Sequence, residues 1–103
     1  VTRRVVFTAP ARAGAIEAAR WLATKSPAAA ARWLVGLEKA VATLGSGPLR
    51  HPLAEDESAT MGTPIREILS GRRPGVYRVM YTVEDNAVVI HEVRHAARGP
   101  VEP

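Results

Sequence analysis

The chain has no cysteine, so disulfide scaffolds and thiolate metal sites are excluded. That absence is consistent with a reducing compartment. No apolar run approaches the ~20 residues of a membrane-spanning helix. The opening Val1-Thr2-Arg3-Arg4 lacks the pattern of a secretory signal. The expectation is a soluble cytoplasmic protein with no membrane partner. Aromatic residues make up only 5% of the chain, so the core must come from aliphatic and small side chains. Lysine is nearly absent, with only Lys25 and Lys39, yet the net charge is +4, so the positive charge is almost all arginine. Guanidinium groups suit bidentate contacts to phosphate or carboxylate, which points to an anionic partner. A GC-rich genome yields the same bias, so composition alone does not choose between the two.

At 103 residues the chain is read as one domain, residues 1–103, with room for a modest core. Arg3 to Thr8 reads as a first strand. Thr8-Ala9-Pro10 then opens a helix that runs to Lys25, with a capping side chain and a proline in the first turn. Its apolar stripe is Ala15/Ile16, Ala19 and Leu22/Ala23. Ser26-Pro27 ends this helix and starts a second one, Pro27 to Leu44. In that helix Ala30, Leu34, Leu37, Val41 and Leu44 recur at steps of three and four, and Gly45 stops it. Two helices so closely joined form an antiparallel hairpin. Trp21 and Trp33 flank its tip and serve either as packing or as an exposed anchor for a partner.

Residues 45–63 read as a long loop in which Glu55-Asp56-Glu57 are solvated and His51 is a surface histidine. Three strands follow. Tyr77, Val79, Tyr81 and Val83 alternate with Arg78, Met80 and Thr82, and Glu84-Asp85-Asn86 supply a hairpin turn into Ala87-Val88-Val89-Ile90. The predicted fold is therefore α+β, in the order β-α-α-β-β-β, with the helical hairpin packed on one face of a mainly antiparallel sheet.

The last strand contains His91-Glu92-Val93-Arg94-His95, the H-E-x-x-H string of zinc proteases. On a helix the two histidines would sit one turn apart and share a metal. On a strand they lie about 13 Å apart, at ~3.3 Å per residue, and cannot reach one ion. The β-branched run before them favours the strand. A zinc peptidase is thus a remote alternative, and neither metal nor cofactor is expected.

In element order, and in Tyr77-Arg78-Val79-Met80-Tyr81 together with the strand ending Arg94-His95-Ala96-Ala97-Arg98, the chain resembles the RelE/ParE superfamily of toxins from bacterial type II toxin–antitoxin modules. That resemblance implies one of two activities: inhibition of DNA gyrase, as in ParE-like members, or ribosome-dependent mRNA cleavage, as in RelE-like members. It also implies a cognate antitoxin, acidic and partly disordered. In the RelE-like case Arg78 would hold the scissile phosphate and His95 would supply acid–base chemistry. RelE itself carries lysines in its loop and strand region and a tyrosine near its C-terminus; this chain has no lysine after Lys39 and no tyrosine after Tyr81. The ParE-like activity is therefore favoured. Arg66, Arg72, Arg73, Arg94 and Arg98 are candidate contacts to the target or to nucleic acid, or else a charged edge that discourages strand pairing.

Overall fold

The structure, a computed structural model, describes residues 2–73 and 75–97. Its elements are β1 (Arg4–Phe7), α1 (Ala9–Lys25), α2 (Pro27–Leu44), a 3-10 turn (Pro48–Arg50), α3 (Glu55–Met61), β2 (Arg66–Ser70), β3 (Tyr77–Val83) and β4 (Ala87–His95). The strands form one sheet in the order β1-β4-β3-β2. Pairs β2–β3 and β3–β4 are antiparallel, whereas β1 lies parallel to β4. The sheet is thus mixed at one edge and antiparallel elsewhere.

Helix α1 begins where Thr8 accepts a hydrogen bond from the Ala11 amide, and Pro10 occupies the first turn. Ser26 closes α1 with its own amide and caps α2 with its side chain, which accepts from Ala29. One residue therefore serves both helices of the hairpin. The core-facing residues of α1 are Ala11, Ala18 and Leu22, and those of α2 are Ala30, Trp33, Leu37, Val41 and Leu44. The expected stripe holds at Ala15, Ala19 and Leu22 of α1 and at Ala30, Leu37, Val41 and Leu44 of α2. Ile16 and Leu34 are exposed, and Trp33 takes the core position in place of Leu34. This substitution puts the largest side chain of α2 over Tyr77, with ring centroids 5.1 Å apart.

Helix α1 lies close on β4. A methyl group at Gly14 would come 2.5 Å from the Val93 carbonyl oxygen, so only glycine lets the helix approach this far. The helix-facing side of the sheet supplies Tyr77, Val79, Tyr81, Val88, Ile90 and Val93 to the same core. Tyr81 is fully buried, and its hydroxyl donates to the Pro48 carbonyl oxygen at 2.6 Å. Burial pushes this phenol's pKa up, while the nearby Arg66 and Arg50 pull it down.

Residues 45–63 are not a structureless loop. Ala54 forms a second small core with Ile65 and Met80 on the face of the sheet away from α1 and α2. Ser58 accepts from the Ile65 amide and donates to the Ile65 carbonyl, and Gly62 ends α3 in the left-handed conformation. Leu53 bridges Arg66, covering the start of the edge strand β2. His51 is half-buried rather than on the surface, and its Nε2 is enclosed without a hydrogen-bond partner. None of the helices among the described residues is long and apolar enough to cross a membrane.

Candidate functional site

Strands β3 and β4 carry Arg78, His91, Glu92, Arg94 and His95, and a β-bulge decides where the side chains of β4 point. Tyr81 pairs with Ile90, but Met80 pairs with Glu92, so His91 is an extra residue in β4. Such an insertion shifts the alternation of side chains by one. Val88 and Ile90 face the helices before the bulge, and Val93 does so after it. His91 therefore faces the open side, with Nε2 2.8 Å from the Thr82 hydroxyl. His95 faces the helices, in edge-on contact with Tyr77 at 5.1 Å and Trp21 at 5.6 Å. The histidines of the H-E-x-x-H string are on a strand, as expected, and on opposite faces of it. The one-faced pair that a zinc peptidase requires is absent.

Arg78 is on the open face, beside Met80 and across from Arg94. It is held by two carboxylates. Nη1 and Nη2 donate to Glu57 Oε2 and Oε1 at 2.9 and 2.8 Å, and Nε donates to Glu67 Oε1 at 2.6 Å. Glu57 is only 3% exposed and Arg78 17%. The forked bond to Glu57 raises the guanidinium's pKa, burial opposes the rise, and Glu67 reinforces it. Glu57 comes from the segment expected to be a solvated acidic loop. Instead it lies in the first turn of α3, which lays it over the sheet. The signal for this was in the sequence: an acidic first turn, a short helix-compatible run and a terminating glycine at Gly62.

Arg78 and His95 are thus separated by the sheet. His95 belongs to a chain of rings, Trp33–Tyr77–His95–Trp21, with Lys25 Nζ 5.4 Å from the Trp21 ring centre. Its Nδ1 accepts from the Ala97 amide at 3.0 Å, which places the proton of the neutral ring on Nε2. Among the arginines singled out, Arg66 donates to the His51 carbonyl oxygen at 2.7 Å at the edge of the sheet. Arg94 shares the open face with Arg78. Arg72 and Arg73 are exposed in the β2–β3 turn. Arg98 and the tail after it lie outside the described residues. The arginines therefore form no single patch.

Between α3 and the bulge of β4 lies a cavity of about 860 Å³. Leu49, Met61, Ile65, Met80 and Val83 give it an apolar lining, and Arg66, His91 and Glu92 stand among its polar residues. Leu49 and Met61 are more than half exposed at 58% and 56%, large side chains with little of their surface buried by the fold. Neither residue was singled out from the sequence, because their role depends on α3 being folded over the sheet.

Among solved structures, the chromosomal ParDE toxin–antitoxin system from P. aeruginosa is similar in fold, with a TM-score of 0.70 over 91% of this chain and 96% of that one, at 14% sequence identity. In sequence, no curated protein matches the chain. The family described as the ParE toxin of type II toxin–antitoxin system, parDE, matches residues 5–100, nearly the whole length. The chain therefore belongs to the ParE toxin family of type II toxin–antitoxin systems.

Proposed function

We propose that this chain is a cytoplasmic, single-domain toxin that acts by binding DNA gyrase, without chemistry of its own, and is silenced by a cognate antitoxin. Family membership supports the toxin role. The observation that carries the absence of chemistry is the placement of Arg78. An arginine that stabilises a scissile phosphate must offer free donors to it. Here Nε, Nη1 and Nη2 of Arg78 each donate to Glu57 or Glu67, and these two carboxylates offset the charge that a phosphate would need. His95, the acid–base candidate, is on the other side of the sheet. One phosphate cannot lie within hydrogen-bonding distance of both.

The antitoxin is assigned to the open-face cavity. Its apolar side chains would cover Leu49, Met61 and Met80, and its carboxylates would reach Arg66 at the rim. The test of the target is genetic. In a saturating selection for hosts that survive expression of the toxin, resistance mutations are expected in the gyrase genes. Their absence there, with resistance mapping to ribosomal genes, would overturn the gyrase assignment.

A further inference from the structure

A second cleft lies on the helix side of the sheet, between α2 and the β2–β3 turn, with a volume of about 600 Å³. Arg32 reaches it from α2, and Arg72 and Arg73 reach it from the turn. We propose that this cleft is a phosphate-binding site that seats the backbone of duplex DNA. This proposal does not depend on gyrase being the target.

Four observations carry it. First, three arginines from two elements far apart in sequence line one cleft, and its described lining residues include no carboxylate. Second, none of the three forms an ion pair among the described residues, whereas Arg78 is held by two. Like charges gathered without a counter-charge repel one another, and an anion between them removes that repulsion.

Third, the floor of the cleft holds an unanswered donor. Trp33 is 6% exposed, and its Nε1 is buried without a hydrogen-bond partner. The indole nitrogen lies under the turn, where a methyl group on Gly71 would be 3.0 Å from it. The turn covers this nitrogen, so a phosphate held by Arg72 and Arg73 sits beside it. A buried N–H without an acceptor keeps the full cost of its lost hydration, so native structures leave few of them. Fourth, space stands open on the α2 side of the cleft, where a methyl group at Gly36 would meet nothing within 4 Å.

The chemistry favours nucleic acid over an acidic protein. Every polar side chain among the described lining residues is a donor only, as a phosphodiester needs. Its exposed residues are arginine and glycine, without the large apolar anchor found at the centre of protein interfaces. Arginine rather than lysine matches the planar, two-pronged geometry of phosphate oxygens.

The purified chain is titrated against a short fluorescent DNA duplex by anisotropy between about 50 and 200 mM salt. Arg32, Arg72 and Arg73 are exposed, so glutamine replacements leave the fold intact, checked by circular dichroism. Each replacement is expected to weaken binding about tenfold at the lower salt and to reduce the slope of log K against log salt by about 1. A ¹⁵N-labelled Trp21→Phe protein leaves one indole signal, from Trp33, which is expected to shift on adding DNA and to stay fixed in the triple-glutamine variant. Unchanged DNA affinity in that variant would overturn the proposal. So would binding that leaves the Trp33 signal in place, or polyglutamate binding as tightly as DNA at equal salt.

Discussion

Removing the Arg78 guanidinium should cost more stability than removing any other arginine among the described residues. Arg78→Ala leaves Glu57, 3% exposed, without its two-pronged partner. A buried carboxylate so abandoned must stay charged in a poorly solvated site or take up a proton. Removing one side of a buried pair typically costs about 3–5 kcal/mol. Glu67, 23% exposed, rehydrates at little cost and adds almost nothing. For a small domain whose total stability is about 5–15 kcal/mol, the loss is a large fraction, and the melting midpoint should fall by roughly 15–25 °C. Urea unfolding followed by circular dichroism measures it. The raised pKa of Arg78 fixes the pH behaviour. A group whose pKa is higher when folded contributes fully below its unfolded value and loses that contribution only as pH rises through the folded one. For arginine both lie beyond ordinary conditions, so the guanidinium's contribution does not fade from neutral to moderately alkaline pH. The companion double variant, Glu57→Leu with Arg78→Met, should recover most of the loss, because it removes both charges and keeps the volume. A cost below about 1 kcal/mol for Arg78→Ala, the range of exposed pairs, would refute the reasoning.

Three other outcomes are expected. Tyr81→Phe should lose about 1 kcal/mol near neutral pH with its bond to Pro48. Because burial raises the Tyr81 pKa, wild-type stability is present below the ordinary tyrosine pKa and declines as pH rises above it; the Phe variant should show less of that alkaline decline in pH-dependent melting. Gly14→Ala should destabilise by about 1–3 kcal/mol in urea titrations, since the new methyl group meets backbone on β4 rather than a movable side chain. Met61→Asp, at an exposed rim position, should leave the melting temperature unchanged and weaken antitoxin binding by about tenfold or more in calorimetric titration.

The regular elements were legible because their signals are local. Ser26-Pro27 marks the break between α1 and α2, and the alternation of Tyr77 to Val83 assigns the faces of β3. The helix stripe was read one residue off at Trp33, where a large ring serves the core better than the periodic Leu34. The candidate site was less legible. Its geometry depends on two non-local facts: α3 folds back so that Glu57 meets Arg78, 21 residues on, and a bulge inserts His91. The string His91-Glu92-Val93-Arg94-His95 looks the same with or without that bulge. Only the pairing of Met80 with Glu92 shows that its histidines part company. The parallel β1–β4 pair was equally invisible, because nothing in either strand records which edge it joins.

The most direct test of a toxin that binds without chemistry is a paired assay on one preparation of the purified chain: gyrase supercoiling, and mapping of mRNA 5′ ends in a translating extract. Inhibited supercoiling with unchanged message ends is the expected result. Normal supercoiling with new ends inside ribosome-covered codons, absent when ribosomes are left out, would contradict it.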